Sequence, residues 1–511
     1  MFTEEHKLFR QGLRDFLDRE VMPNIDQWEE EQRMPKDLWP KFGEMGYFGL
    51  NYPEKYGGID VDFMYSVIFM EEIAKCESGG FMILPAVQQY MASPYINKHG
   101  SEFLKEKDRT KVMSGEWIAC IGISEPGAGS DVANIQTKAI KDGDHYVVNG
   151  SKTVITNGVY GDVVVAVVKT DPEAGAAGVS LLVIDLNSEG ITRNKLKKLG
   201  WHASDTAELH FDNVKVPVEN IVGDEGQGFY YLMGGLQTER LVGAIAGYAS
   251  CEWAIGYTLQ YMSERNAFGR PINKFQVLRH RMAQLISEVE ANKQFVLHCA
   301  RQHDAGEYIV KECSMAKLLS SELAEKVMTQ CLQSFGGYGF MEDYKMARAY
   351  RDCRVGTIGG GSSEIMREII AKMVIDDTSY QRAGSVSSAP KSKPVEAKKT
   401  ETNSNTNDKK PVMSFEAIES AIKEKAAAAK PLGNTLKFNF GEQNVMLDGT
   451  GDANVVTVND ATEAQCTVDV AMEDLTAMLA GDLNPMNAFM SGKIKVKGDM
   501  SVAMKLGSIM G

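Results

Sequence analysis

Residues 122–131 read GISEPGAGSD and stand at the head of a stretch rich in β-branched residues. The three glycines let a backbone approach a ligand closely, and the N–H groups and hydroxyls of such a loop can hold a polar, planar ligand. An ordinary turn explains the same glycines equally well. The sequence patterns before and after the loop distinguish a binding loop from an ordinary turn.

On either side of this loop the predicted secondary structure changes twice along the chain, from helices to strands and back to helices. Residues 1–118 are predicted to be helical because apolar residues recur at helical spacing. Residues 119–222 predict strands, since short β-branched runs such as 163–165 are separated by Gly, Asn and Asp turns. Residues 226–378 return to long helical patterns with few prolines. This order predicts a helical, a strand-rich and a second helical domain.

Two further segments follow the second helical zone. Residues 383–412 contain no aromatic residue and only three valines, so they cannot bury enough apolar surface to order and predict a flexible linker. Residues 413–511 predict a compact second module, because Phe415, Ile418 and Ile422 share one helical face and 493–497 alternate as a strand. Residues 436–440 also alternate as a strand, and residues 500–509 predict a helix.

Composition excludes several classes of protein. A chain of 511 residues with a net charge of −14 predicts two or more domains and disfavours nucleic-acid binding, which needs excess Lys and Arg. Its eight cysteines form no C-x-x-C pair and no zinc-like spacing, so we expect reduced thiols and no metal. G-x-G-x-x-G and G-x-x-x-x-G-K motifs are absent, which disfavours a nicotinamide Rossmann enzyme and a P-loop NTPase. Without a targeting segment or long apolar run, a cytoplasmic protein with no transmembrane segment is expected.

Six motifs lie in order along the chain, at 122–131, 152–158, 200–206, 211–229, 265–276 and 333–354. Over about residues 1–378 this ordered set resembles the acyl-CoA dehydrogenase family. The resemblance implies a helical N-terminal domain, a middle β-domain and a C-terminal four-helix bundle. It also implies FAD bound between the β-domain and the bundle and reaching into a neighbouring subunit, and therefore a homodimer or homotetramer.

The resemblance assigns cofactor contacts along the chain. Thr156 is expected to hydrogen bond near flavin N5, and Arg265 to pair with the pyrophosphate of a partner's FAD, where a guanidinium suits phosphate oxygens. The other expected flavin contacts are Ile123, Ser124, Ser130 and Ile155. The residues expected to line the adenosine end are Gln276, Gln333, Gly336 and Gly337, and those near the end of the bundle are Ser362 and Glu364.

The reaction of this family needs a carboxylate of raised basicity to remove the proton α to the thioester. Most members carry that Glu where this chain has Gly360, which alone would suggest an inactive enzyme. A branch resembling long-chain and isovaleryl acyl-CoA dehydrogenases moves the base to an earlier helix, 26 residues before Arg265, where this chain has Glu239. Glu239 is the predicted base; the alternative is a solvated Glu on an amphipathic helix.

Substrate contacts are predicted at Ser130, Arg240, Tyr261 and Gly360, although a core position explains Tyr261 equally well. The backbone N–H of Gly360 can still bond the thioester oxygen, where negative charge develops. Val154 and Gly359 stand where the family usually has an aromatic residue and a tyrosine. The missing bulk predicts a pocket for a long, branched or otherwise bulky acyl group.

The C-terminal module resembles the sterol carrier protein type 2 (SCP2) family, on residues 468–470, 478–481 and 482–499. That family has a five-stranded sheet with helices enclosing an apolar tunnel for lipid or fatty acyl-CoA. The predicted protein is therefore an FAD-dependent acyl-CoA dehydrogenase with a tethered lipid-binding domain, passing electrons to an electron-transferring flavoprotein. An acyl-CoA oxidase that reduces oxygen and a catalytically inactive lipid carrier or scaffold are the alternatives.

Overall fold

The chain divides into two units, Met1–Ile370 and Ala371–Gly511. A computed structural model describes residues 2–376, 414–428, 431–441, 443–451, 453–479, 494–498 and 502. The predicted linker at 383–412 lies outside the described residues, as do the SCP2-like motif at 482–493 and all of the predicted helix at 500–509 except residue 502.

The N-terminal domain is helical, as predicted. Side chains that accept backbone hydrogen bonds set several helix starts: Thr3 accepts from His6 N, Asp62 from Met64 N, and Ser78 caps another helix. The helices are α1 (Glu4–Glu20), α2 (Ile25–Glu31), α3 (Leu38–Glu44), α4 (Phe63–Ala74), α5 (Gly79–Val87), α6 (Ser93–His99), α7 (Glu102–Leu104) and α8 (Thr110–Met113). A π-helical turn at Gln88–Ala92 joins α5 to α6.

The middle domain is a seven-stranded sheet, with strand order β1-β4-β2-β3-β7-β6 and β5 paired with β4. The strands are β1 (Ala119–Gly122), β2 (Lys138–Asp142), β3 (His145–Thr156), β4 (Val163–Lys169), β5 (Val179–Asp185), β6 (Ile191–Lys195) and β7 (Thr206–Pro217). Along β4, Val163 and Val165 face one apolar core while Val164 and Val168 face another. Because both faces of β4 are covered, its sequence is continuously apolar instead of alternating.

The second helical domain is organised around one long helix, α9. Its helices are α9 (Gly228–Glu264), α10 (Gln276–Asp304), α11 (Val310–Ser334), α12 (Lys345–Cys353) and α13 (Ser363–Ala371), with a short hairpin of β8 (Asn266–Ala267) and β9 (Arg270–Pro271) after α9. Leu241 and Tyr248 of α9 share one core with Phe69 of α4 and Val296 of α10. The middle of α9 therefore lies between the N-terminal domain and the bundle.

The C-terminal unit contains a five-stranded sheet of order β12-β11-β10-β13-β14. Its elements are α14 (Phe415–Ala428), β10 (Thr435–Asn439), β11 (Asn444–Asp448), β12 (Val455–Val458), β13 (Cys466–Val470), α15 (Met472–Leu479) and β14 (Ile494–Gly498). Ile418 and Ile422 of α14 pack on Leu436 and Phe438, so the predicted helical face is confirmed. The predicted strand is one residue too long, because β10 ends at Asn439 and Phe440 follows it.

Candidate active site

A buried ion pair holds the glycine-rich loop that follows β1. The Lys152 side chain is fully buried on β3, and its Nζ lies 2.8 Å from Glu125 Oε1 and donates to the Ile123 carbonyl. Burial lowers the pKa of Lys152 to about 8 in spite of Glu125. Burial alone would raise the pKa of Glu125, but Lys152 and hydrogen bonds from residues 136 and 137 bring it below its ordinary value. The buried, hydrogen-bonded Lys152–Glu125 ion pair therefore holds the inner side of the loop in place.

The outer side of the loop is open. A Cβ built at Gly127 or Gly129 would meet no atom within 4 Å, and Ser130 is exposed. Ser124 accepts a 2.9 Å hydrogen bond from the backbone N of Thr153, which joins the loop to β3. The structure thus brings the loop next to the strand segment that carries Ile155 and Thr156, as the resemblance implies.

Ile155 and Thr156 are neighbours on this segment but differ in burial. Ile155 is 3% exposed and packs in the core of the β-domain, whereas Thr156 is half-buried. Between them and Lys152 a β-bulge leaves Val154 at φ +54° with 60% of its surface exposed. A β-branched residue in the left-handed region is strained, so the surrounding bulge holds Val154 in this conformation.

Glu239 is buried instead of solvated, because it is 8% exposed on α9 at the boundary with the N-terminal domain. The Tyr95 hydroxyl donates a 2.7 Å hydrogen bond to its Oε1. Burial raises the pKa of Glu239 to about 7, and the hydrogen bond from Tyr95 and the charge of Arg240 oppose this effect. A carboxylate with a pKa near neutrality in a desolvated environment has the properties of a general base.

Tyr95 is a site residue that the sequence did not indicate. It lies on α6, 144 residues before Glu239, and no motif links the two positions. The close approach depends on Gly235, one helical turn before Glu239, because a Cβ there would lie 2.4 Å from Tyr95 Oη. A glycine at this place in a helix is unfavourable by itself, which is the only local signal of the contact.

A second residue missed by sequence reasoning is Lys317 of α11, which contacts the loop at 358–362. Lys317 is 6% exposed and donates a hydrogen bond to the Gly361 carbonyl. Burial and the nearby Arg240 lower its pKa to about 8, while Glu364 acts in the opposite direction. Arg240 is itself 7% exposed, and none of the described residues hydrogen bonds its Nε. Gly360 has φ +65°, and a Cβ there would meet nothing within 4 Å.

The predicted Tyr261 contact is separated from the other substrate residues within one chain. Tyr261 is 22 residues after Glu239 on the same helix, a rise of about 33 Å. Its ring stacks on Phe335 at 4.1 Å, and its hydroxyl donates to the Phe335 carbonyl. Tyr261 therefore lies far from Glu239 of its own chain, and its contact with a substrate stays a prediction.

Arg265 begins a separate polar region at the far end of α9. Its guanidinium lies 5.5 Å from the centre of the Tyr338 ring and makes no ion pair with any residue the structure describes. Gly336 has φ +62°, and neither it nor Gly337 has an atom within 4 Å of a Cβ position. Gln276 begins α10 and Gln333 lies near the end of α11. A groove of about 310 Å³ here is lined by Tyr257, Gln260, Tyr261, Glu264, Arg265, Tyr338 and Tyr344.

The remaining expectations concern metals and membranes. Among the residues described, no cluster of His, Cys, Asp or Glu could hold a metal ion. None of the helices in the described segments is long and apolar enough to cross a membrane.

Four family descriptions match consecutive parts of the chain. The N-terminal, middle and C-terminal domains of acyl-CoA dehydrogenase match residues 3–116, 120–214 and 226–375. The SCP-2 sterol transfer family matches residues 415–511. Together they define the class as a three-domain acyl-CoA dehydrogenase fold followed by an SCP2 domain.

Relatives and solved structures agree with this class. The mitochondrial long-chain specific acyl-CoA dehydrogenase of Rattus norvegicus is 37% identical over 74% of this chain and 88% of its own length. The mitochondrial isovaleryl-CoA dehydrogenase of Oryza sativa subsp. japonica is 35% identical over 73% and 91%. The crystal structure of acyl-CoA dehydrogenase from Geobacillus kaustophilus superposes with a TM-score of 0.72 at 45% identity, covering 73% of this chain and 98% of that one. The chain belongs to the acyl-CoA dehydrogenase family and carries a C-terminal SCP2 domain.

Proposed function

We propose that this enzyme oxidises an acyl-CoA thioester to the trans-2-enoyl-CoA with Glu239 as the base. The observation that carries the proposal is the buried Glu239 carboxyl, whose pKa is raised to about 7 on the helix wall of the site. Glu239 removes the α proton, and the backbone N–H of Gly360 bonds the thioester oxygen as negative charge develops there. Because Gly360 carries no side chain, the base is assigned to Glu239 on α9.

FAD is the proposed cofactor, and when bound it supplies the acceptor for the hydride that leaves the β carbon. The open loop at 122–131 and Thr156 fit the isoalloxazine end, with Ser124 and Ser130 as polar contacts. Arg265 forms no ion pair with any described residue and fits a pyrophosphate, since a guanidinium suits phosphate oxygens.

Arg265 lies 26 residues after Glu239 along one continuous helix and the turn after it, about 39 Å away if the rise is that of a helix. An FAD whose flavin lies beside Glu239 therefore cannot place its pyrophosphate at Arg265 of the same chain. This separation supports a homodimer or homotetramer in which residues of one chain hold the FAD of a neighbour; these residues are Arg265, Gln276, Gln333, Gly336 and Gly337. Gel filtration of the FAD-loaded protein would return at least a dimer; a monomer retaining full activity would contradict shared cofactor sites.

The test of the base is Glu239→Gln, with anaerobic flavin bleaching by an acyl-CoA as the measurement. We expect bleaching to slow by at least about 10²-fold, the lower range for loss of a general base. Glu252→Gln is the matched control, because Glu252 lies on the same helix but pairs with Lys75 and Lys293. Bleaching of the Glu239→Gln protein at the unmodified rate would overturn the proposal.

We propose a long, branched or otherwise bulky acyl group as substrate. Val154 and Gly359 supply little bulk where the resemblance places the flavin and the acyl chain, and the relatives named above act on long-chain and isovaleryl thioesters by their printed names. Turnover of butyryl-CoA compared with long and branched thioesters tests this choice, and a clear preference for butyryl-CoA would exclude it. We propose an electron-transferring flavoprotein as the acceptor; rapid turnover with oxygen alone would favour the oxidase alternative.

The SCP2 domain is proposed to bind lipid or acyl-CoA and to raise the local substrate concentration for the dehydrogenase. Support comes from the family match over 415–511 and from a described core of apolar residues between α14 and the sheet. Deleting residues 383–511 should raise the KM while leaving kcat unchanged. An unaltered KM in the deleted protein would remove the delivery role and leave the dehydrogenase assignment intact.

A further inference from the structure

The hydrogen bond from Tyr95 to Glu239 joins two domains. Tyr95 is 2% exposed on α6 of the N-terminal domain, and Glu239 lies on α9 of the bundle. Among described residues, Tyr95 is the only one whose side chain hydrogen bonds the Glu239 carboxylate. The bond reaches Oε1 at 2.7 Å, so the second carboxylate oxygen is left to meet a substrate proton.

The approach of the tyrosine is built into α9. A Cβ at Gly235 would lie 2.4 Å from Tyr95 Oη and 2.7 Å from Tyr95 Cζ, distances that side chains do not tolerate. Gly235 stands one turn before Glu239, so the helix surface is bare where the Tyr95 ring crosses it. The hydrogen bond from Tyr95 to Glu239 therefore depends on the absence of a side chain at Gly235.

Other ionisable groups around Glu239 act less directly. Arg240 follows it on α9, and its charge favours the carboxylate form. Arg240 in turn interacts with Tyr308 and Cys313, and it lies close enough to Lys317 of α11 to lower the pKa of that lysine. On α10, His303 hydrogen bonds Thr238, and its pKa is lowered by burial. The phenol of Tyr95 is thus the one neutral donor in direct contact with the carboxylate among these groups.

We infer that Tyr95 is a positioning residue that holds Glu239 ionised and correctly oriented before the substrate arrives. The inference rests on the proposed role of Glu239 as base. Burial disfavours the charged carboxylate, while a donor hydrogen bond favours it, so the phenol keeps a larger fraction of the base deprotonated at neutral pH. Fixing Oε1 also removes rotational freedom that the carboxylate would otherwise lose on reaching the substrate.

The test is Tyr95→Phe, read first by infrared spectroscopy. The protonated carboxyl band that is absent from Glu239→Gln reports the titration of Glu239 without any turnover. Loss of a hydrogen bond to a charged group should move the midpoint upward by about one to two pH units. The acid limb of kcat/KM for the flavin-loaded enzyme should move by the same interval. The rate at pH 7 should fall about five- to fiftyfold and recover at high pH, because the ionised fraction of Glu239 at pH 7 falls from about one half to about 10% or 1%.

Tyr248→Phe is the matched control. Tyr248 lies on the same helix, and its hydroxyl donates a 2.6 Å hydrogen bond to the buried Glu71. This variant loses a bond of the same kind away from the site, so the Glu239 band should titrate as in the unmodified protein. Gly235→Ala provides a second perturbation that displaces the Tyr95 ring without removing its hydroxyl, and it should shift the band in the same direction.

The outcomes separate this inference from the proposed function. If Glu239→Gln is inactive but Tyr95→Phe and Gly235→Ala titrate at the unmodified midpoint, the role of Tyr95 is overturned and the base assignment stands. If Glu239→Gln bleaches its flavin normally, the base assignment is wrong, and the inference fails with it even if the infrared midpoint shifts. If Tyr95→Phe does not fold, the midpoint of Gly235→Ala decides between these results.

Discussion

Replacing Glu239 by Gln should stabilise the first unit at alkaline pH although the proposed role of Glu239 predicts slower catalysis. The buried carboxyl has a pKa of about 7, against an ordinary value of 4.5. Below pH 4.5 it is protonated in both the folded and the unfolded chain, so it has no pH-dependent effect. Between the two values the folded chain keeps a proton that the unfolded chain releases, and the stability of the unmodified protein falls as pH rises. Above about pH 7 the folded state carries the full cost of a buried charge.

The interval of about 2.5 pH units corresponds to about 3 kcal/mol of unfolding free energy. Unfolding of the unit Met1–Ile370 has an entropy of about 0.8 kcal/mol per kelvin at per-residue averages, so the difference corresponds to about 4 °C in Tm. The gap in Tm between Glu239→Gln and unmodified protein should therefore widen by about this amount from pH 4.5 to pH 8. Gln keeps an oxygen for the Tyr95 hydroxyl, which limits other changes.

Thermal unfolding followed by circular dichroism at several pH values measures this gap. Glu252→Gln is the control of opposite sign, since ion pairs with Lys75 and Lys293 bring the pKa of Glu252 below its ordinary value against the effect of burial. That variant should lose stability at neutral pH and approach the unmodified protein only as the pH falls below about 4.5. A gap for Glu239→Gln that stays constant from pH 4.5 to pH 8 would refute the assignment of a raised pKa.

Two further substitutions probe the frame around the site. Lys152→Met leaves the buried Glu125 without its cation and should cost about 3–5 kcal/mol, lower the Tm and speed loss of FAD in a flavin-release assay; the double variant Glu125→Gln/Lys152→Met should recover part of both. Asp352→Ala removes the carboxylate that accepts hydrogen bonds from the backbone N of Gly79 and of Trp201, and two unsatisfied N–H groups should lower stability by about 2–4 kcal/mol. Retention of the unmodified Tm in either single variant would contradict these structural roles.

Local sequence predicted the fold because each domain has its own pattern. The continuous valines of β4 indicated a strand, and the structure adds that alternate residues serve two cores, which a run of apolar residues cannot reveal. The end of β10 at Asn439 was missed because Phe440 continues the alternation and still packs against the same core. Tyr261 lies one turn before Arg265, and the length of α9 separates that end from Glu239 of the same chain, so its substrate contact stays a prediction.

The resemblance to the long-chain and isovaleryl branch predicted the candidate base, because Gly360 lacks the usual side chain and Glu239 stands at that branch's position. The environment of the base was not predicted, because the groups that set its protonation come from elsewhere in the chain. Tyr95 reaches Glu239 from another domain, and Lys317 reaches the loop of Gly360 from α11. The base role proposed for Glu239 needs such a donor, since a carboxylate buried on a helix without one would remain protonated at neutral pH. The absence of a side chain at Gly235 is the feature of α9 that lets the Tyr95 hydroxyl reach Glu239 one turn later.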